Sequence, residues 1–223
     1  MHAVATQVQR RVLVVGAGVS GLSCVRHLLA EGAAVRVLDT RQIPPGLAEL
    51  RRLLPESAIF LGDWPPAAFA GVDEIVVSPG VGLDEPALAA AGARGVPLLG
   101  DIELFARAAT RPVLAITGSN GKSTVTTLVG ELLRGAGMSP AVGGNLGTPA
   151  LDLLAGPAPD AYVLELSSFQ LERTASLRPA AACVLNLSPD HIDRHGSFAA
   201  YAAAKARVLQ GAAVAVLNRD DAA

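Results

Sequence analysis

Twice in this chain a short apolar run leads straight into a glycine-bearing turn and then into a helix-forming stretch. Arg11–Val15 (RVLVV) precedes Gly16-Ala17-Gly18-Val19-Ser20-Gly21, and Val113–Thr117 (VLAIT) precedes Gly118-Ser119-Asn120-Gly121-Lys122-Ser123-Thr124. A run that is apolar at nearly every position suits a strand covered on both faces. Such strands belong to parallel sheets, where each strand needs a crossover, usually a helix, before the next. The remaining elements keep the alternation. Residues 21–31 are expected as a helix, 34–39 and 74–78 as strands, and 101–109 as a helix. The pattern restarts near Thr110, with a helix over 122–134, strands over 162–166 and 182–187, a helix over 197–210 and a last strand over 214–218. Pro44–Pro45, Pro65–Pro66 and Pro157–Pro159 read as loops.

The 223 residues are 51% hydrophobic but only 4% aromatic, so alanine-packed helices are expected in place of a bulky aromatic core. A net charge of −2 with no dense Lys/Arg run leaves a nucleic-acid partner unsupported. No run approaches the roughly 18 apolar residues of a membrane span, and the polar segment 1–11 lacks the apolar stretch of a signal peptide. Cys24 and Cys183 both fall in core elements, which suits a reducing, cytoplasmic setting. The chain stops just after a strand, at Asp220-Asp221-Ala222-Ala223, as a piece of a longer protein would.

Three places carry chemistry. The turn Gly16–Gly21 lets a backbone approach a phosphate, with a helix amino terminus behind it. Asp39, ending the next strand, is placed to meet a ribose or base, and Ser78-Pro79-Gly80 lies on the same carboxyl edge. Taken alone the turn does not choose between NAD, FAD and a nucleotide-sugar. The second place is the phosphate loop. Its backbone amides cradle phosphates, Lys122 neutralises the terminal ones, and the hydroxyl of Ser123 suits Mg²⁺. The general loop pattern has a glycine where this chain has Ile116. The third is a constellation: Glu165 inside the apolar run YVLEL, and His191 after the turn Ser188-Pro189-Asp190. A hard cation favours the carboxylate over the imidazole. Lys205 lies on the apolar stripe Phe198, Tyr201, Ala202, Lys205, Val208 and Leu209. It either snorkels to water or sits in a site that lowers its pKa, where a neutral amine could take up carbon dioxide as a carbamate.

At these residues the chain resembles the Mur ligase family. GAGVSGLSCV, LDTRQIPPGL, VVSPGV, GDIELFARA, AITGSNGKSTVTTLVGELL, GGNLGTPAL, YVLELSSFQLE, LNLSPDHIDRH and YAAAKARV follow in family order over nearly the whole chain. The resemblance implies an α/β fold: a Rossmann-like UDP-sugar-binding domain with a parallel sheet, residues 1–109, then a partial P-loop-type ATPase domain, residues 110–223, incomplete at its C-terminus. The resemblance also implies a third domain and an adenine pocket, which the sequence given is not expected to cover. It implies an ATP-dependent amide ligase of cytoplasmic peptidoglycan synthesis, adding glutamate to UDP-N-acetylmuramoyl-L-alanine through an acyl phosphate, and a monomer. Val19, Ser20, Asp39, Thr40 and Arg41 are implied to hold the uridine end, Ser78, Pro79 and Gly80 to lie near the pyrophosphate, and Asn145 to reach the nucleotide-sugar. Gly118, Ser119, Asn120, Gly121, Lys122, Ser123 and Thr124 are implied to bind ATP phosphates. Ser123, Glu165, His191 and a carbamylated Lys205 are implied to serve magnesium, with Lys122, His191 and Lys205 catalytic. Other readings remain at this point: a fragment acting only as a UDP-sugar and phosphate binding module, an NAD-dependent oxidoreductase, and a bare P-loop kinase or ATPase.

Overall fold

The structure is a computed structural model that describes residues 9–221; the segments 1–8 and 222–223, including most of the polar amino-terminal stretch, lie outside the described residues. The chain divides into two compact units, 1–99 and 100–223.

In the first unit, β1 (Arg11–Val15), α1 (Val19–Ala30), β2 (Ala34–Asp39), α2 (Leu47–Leu53), β3 (Ile59–Leu61), α3 (Pro66–Phe69), β4 (Glu74–Val77), α4 (Pro86–Ala93) and β5 (Leu98–Leu99) follow in order. The strands form one parallel sheet in the order β3-β2-β1-β4-β5. The order reverses beside β1, which places the turn after β1 at the position where doubly wound sheets take ligands. Leu13, Val15, Leu38, Ile75, Val77, Leu88 and Ala91 form a dry core on one face. Each Leu, Val or Ile side chain among them, fully removed from water, stabilises by roughly 1.5–3 kcal/mol. Pro65–Pro66, expected as loop, starts α3, and Pro86 starts α4. Proline lacks an N–H, and the first helical position needs none.

The second unit contains α5 (Asp101–Ala108), β6 (Val113–Thr117), α6 (Lys122–Gly135), β7 (Pro140–Gly144), α7 (Ala150–Leu153), β8 (Ala161–Glu165), α8 (Ser168–Leu171), β9 (Ala181–Val184), α9 (Ile192–His195), α10 (Phe198–Ala206) and β10 (Ala215–Leu217). Its parallel sheet runs β10-β9-β6-β8-β7. The units divide ten residues before the break expected near Thr110, because α5 packs with the second unit. Glu103 accepts the amides of Ala175 and Ser176 and the hydroxyl of Ser176 at 2.6–2.9 Å. Gln170 donates to Asp101 at 2.8 Å, and Phe105 meets Tyr162 edge to face, 5.0 Å between centroids. The expected strand 182–187 ends at Val184, and the expected helix 197–210 finishes as a 3₁₀ turn over Arg207–Leu209.

Candidate functional site

Both units place their glycine turns at the carboxyl ends of the strands. In the first, Gly16 has φ +98°, and a Cβ there would meet Ser78 at 2.8 Å; a Cβ on Gly21 would lie 1.8 Å from the Gly16 carbonyl oxygen. No side chain fits at either position while the turn keeps its shape. Asp39 is only 3% exposed. Its Oδ2 accepts the Ala17 amide at 2.7 Å, and its Oδ1 accepts the Arg41 amide at 2.9 Å. The Arg41 guanidinium grips both oxygens, at 2.8 and 2.7 Å. Burial pushes the Asp39 pKa up, but the Arg41 fork and the two amides outweigh it and hold the carboxyl below its ordinary range. Asp39 therefore clamps the glycine turn to the end of β2, a use the ribose-or-base reading did not foresee. Val19, Thr40, Arg41 and Gly80 are exposed, and Ser20, Ser78 and Pro79 are half-buried. The Ser78 hydroxyl donates to the Gly16 carbonyl at 3.2 Å.

In the second unit, the turn after β6 needs glycine twice: Gly118 has φ +153° and Gly121, capping α6, has φ +79°. The first amides of this 14-residue helix have no intrahelical acceptor, and the helix dipole favours an anion there. Lys122 Nζ folds back to the Ser119 carbonyl at 3.0 Å. Ser123 Oγ donates to Glu165 Oε2 at 2.6 Å, and Asn145 Nδ2 donates to Glu165 Oε1 at 2.7 Å. Glu165 is 3% exposed, and both of these partners are neutral. A buried carboxylate accepting from a hydroxyl and an amide, beside a turn whose free amides favour an anion, is a setting that fits a hard cation.

Lys205 does not snorkel. It is 2% exposed, with Nζ 2.8 Å from the Gly118 carbonyl, 3.4 Å from Thr117 Oγ1 and 4.8 Å above the Tyr201 ring. Burial, with help from Lys122, brings its pKa down to about 8, against the pull of Asp190 and Glu165. The neutral amine becomes a major species at mildly basic pH.

The structure thus brings together Ser123, Glu165 and Asn145, and sets Lys205 under the same loop. His191 stands at the amino-terminal cap of α9. Its ring lies 4.9 Å from Phe169 and its Nε2 3.5 Å from Asp190. Its backbone has φ +50°, and it is the single non-glycine residue with positive φ among the described residues. A conformation of that kind costs on the order of 1–3 kcal/mol and clusters at functional turns. Among the described residues no three His, Cys, Asp or Glu side chains gather as a metal cluster, so Glu165 stands with hydroxyl and amide donors. Two loop residues are turned to other work. The Ser119 side chain, 8% exposed, points inward, and the Asn120 amide is already held by Asn186 Oδ1 at 2.9 Å. The Ser119 amide is likewise taken, donating to the Asn186 carbonyl at 2.9 Å. Asn186 and Tyr201 were not singled out as site residues from the sequence. Asn186 lies in a stretch expected as strand, and Tyr201 reads as one more apolar position of a helical stripe.

A glycine turn at the reversal point of one parallel sheet and a GKST loop beside a buried carboxylate on another define an α/β protein with two turns of the kind that favour phosphate anions. Family models extend this: one described as Mur ligase MurD-like, N-terminal domain matches residues 10–100, and one described as Mur ligase middle domain matches residues 116–223. The chain belongs to the Mur ligase family. It is 57% identical over 213 residues to a protein of Marinobacter nauticus named UDP-N-acetylmuramoylalanine–D-glutamate ligase, covering 96% of this chain and 48% of that one. A protein of the same name from Nitrosococcus oceani is 53% identical over 215 residues, again 96% and 48%. The chain spans about half the length of the curated relatives it matches. The fold resembles the crystal structure of UDP-N-acetylmuramate:L-alanyl-gamma-D-glutamyl-meso-diaminopimelate ligase from Neisseria meningitides, with a TM-score of 0.60 at 17% identity over 96% of this chain and 73% of that one.

Proposed function

We propose that this chain supplies the nucleotide-sugar unit and the phosphate-binding part of an ATP-dependent ligase that joins D-glutamate to UDP-N-acetylmuramoyl-L-alanine, in the cytoplasm, during peptidoglycan precursor synthesis. The observation that carries it is the Ser123–Glu165–Asn145 group at the GKST turn, in a chain more than half identical to relatives bearing that activity in their name. Among the described residues no helix is long and apolar enough to cross a membrane.

In the proposed reaction the substrate carboxylate attacks the γ-phosphorus of ATP, and ADP leaves. The amine of glutamate then attacks the acyl carbon of the resulting acyl phosphate, the C–O bond to phosphate breaks, and the amide forms with loss of a proton. Both steps gather negative charge, so electrostatic stabilisation dominates. Lys122 and the amides of residues 121–124 face that charge. Ser123 and Glu165, with His191 from the neighbouring turn, are the residues to hold Mg²⁺, which would neutralise phosphate charge when bound. Lys205, with its lowered pKa, is the residue to carry a carbamate. Val19, Ser20, Thr40 and Arg41 around the Asp39 clamp would take the uridine end, Ser78, Pro79 and Gly80 would lie near its pyrophosphate, and Asn145 would reach the sugar side.

The test is a pair of titrations with a full-length ligase carrying this chain. Lys122→Ala is expected to cut turnover by several orders of magnitude, since it removes the cation facing the developing charge. Affinity for the UDP-sugar should stay within about twofold, because Lys122 and the glycine turn of residues 16–21 belong to different units. Near-normal turnover in that variant would overturn the reading. Saturable binding of NAD⁺ to the first unit, with none of UDP-N-acetylmuramoyl-L-alanine, would favour an oxidoreductase instead.

A further inference from the structure

The phosphate loop is held from beneath by a hydroxyl that the reading above does not use. Ser119 Oγ accepts from the Ser188 amide at 2.9 Å and lies 3.1 Å from the Ser188 carbonyl. It also lies 2.7 Å from the Tyr201 hydroxyl. A serine hydroxyl has one proton to give and two lone pairs to offer. With its proton on the Ser188 carbonyl, its second lone pair is left for the Tyr201 O–H. All three capacities of the Ser119 side chain are then met inside the protein, and Tyr201 is the donor that completes the set.

The geometry reaches further than one bond. Ser119 donates its own amide to the Asn186 carbonyl at 2.9 Å, and Asn186 Nδ2 donates to the Asn120 carbonyl at 3.1 Å. The loop 118–121 and the turn 185–190 are thus stitched together, with the Tyr201–Ser119 contact at the buried end. Tyr201 is fully buried in α10. Its ring stands edge-on to His195 at 5.4 Å and lies under Lys205 Nζ. Those ring contacts need no hydroxyl; an aromatic of the same shape would keep them. The hydroxyl is therefore separable from the packing, and it is buried polar matter whose retention calls for a partner.

We propose that Tyr201 is a positioning residue of the nucleotide site: through its hydroxyl it holds Ser119, and with Ser119 the anion-binding turn, against the turn that carries His191, so that the loop is set before a polyphosphate arrives. The proposal rests on the phosphate-loop reading given above and adds to it a residue that touches neither nucleotide nor substrate. A loop held in its binding shape loses less freedom on binding, and the gain shows as affinity.

The test uses this 223-residue chain with two readouts, amide hydrogen exchange without ligand and calorimetric titration with ATP and Mg²⁺, with inorganic tripolyphosphate as a second probe. Tyr201→Phe should speed exchange in segments 118–123 and 186–191 while leaving the β1 and β2 amides unchanged. It should weaken ATP binding by about two- to twelvefold, the range of one net hydrogen bond. Ser119→Ala, which also removes the Ser188 contacts, should weaken binding at least as much, and the double variant should be no weaker than Ser119→Ala, because the Tyr201 contact is already lost there. Tripolyphosphate should follow ATP, since the loop acts on phosphates. Wild-type exchange and affinity in Tyr201→Phe, or additive losses in the double variant, would overturn the proposal. So would loosening spread over all of α10, which marks a packing role. If wild type binds neither probe, the phosphate-loop reading falls and takes this proposal with it; loop exchange still altered in Tyr201→Phe would then show that the tether is real and the nucleotide reading is what failed.

Discussion

Lys205 shows how much one buried side chain can reveal about a site. An alkylammonium at 2% exposure costs free energy in its charged form, and here two oxygen contacts, a ring face and the pull of Asp190 and Glu165 offset only part of that cost. Its pKa falls from 10.5 to about 8. The unfolded chain therefore holds this proton more tightly than the native state does, between pH 8 and 10.5. Stability contributed at this position is lowest below pH 8 and rises as pH climbs through that window. Urea unfolding of wild type and Lys205→Met across pH 7–10 checks this: the rise belongs to wild type and is missing from the variant. His191 is the backbone counterpart. Its left-handed φ of +50° is the kind of local strain that surrounding structure must maintain, and the stitched turns 118–121 and 185–190 supply that frame.

At the scale of elements, α5 is the instructive case. Read along the sequence it closes the first set of strands and helices, yet its anchors lie 69 to 73 residues downstream. Glu103 is the main one. Burial alone would raise its pKa, but the Ser176 hydroxyl, the amides of Ala175 and Ser176, and Arg107 bring it down to about 2. A carboxylate with a depressed folded pKa contributes stability above its unfolded value near 4.5, and that contribution fades as pH falls toward 2. Glu103→Ala should cost about 2 kcal/mol or more at pH 7, because four donors lose a charged acceptor. Acid unfolding followed by circular dichroism should show a flatter pH dependence between 4.5 and 2 in the variant. The edge strand β7 is the opposite lesson. Pro140-Ala-Val-Gly-Gly has the composition of a turn, and it is a strand because β8 offers it a ladder and an edge tolerates proline at its first position.

For the whole molecule, the useful fact is that each compact unit carries its own buried apolar side chains and its own glycine turn at the carboxyl end of a strand. A ligand stabilises only the state that binds it, by an amount set by its concentration over Kd. Hydrogen exchange on this chain should show UDP-N-acetylmuramoyl-L-alanine slowing amides around residues 16–21 and 39–41. ATP with Mg²⁺ should slow amides around 118–124. Protection by either ligand at the other turn alone would reverse the assignment of the two sites.

The sequence by itself determined the strand–turn–helix units, the parallel sheets and the two glycine turns. These follow from signals a few residues long: unbroken apolar runs, glycines that take positive φ without steric cost, and a Lys-Ser-Thr opening a helix. It placed β1, β2 and β6 with the residue bounds the fold has, and it pointed to Glu165 and Lys205 because a charge in an apolar pattern needs a reason. Only the tertiary structure decided where α5 belongs, that Asp39 clamps its own turn, that Ser119 faces inward, and that Lys205 is sealed beneath the phosphate loop. Each of those depends on partners tens of residues away, and a side chain's direction is set by what packs against it, which no local pattern records.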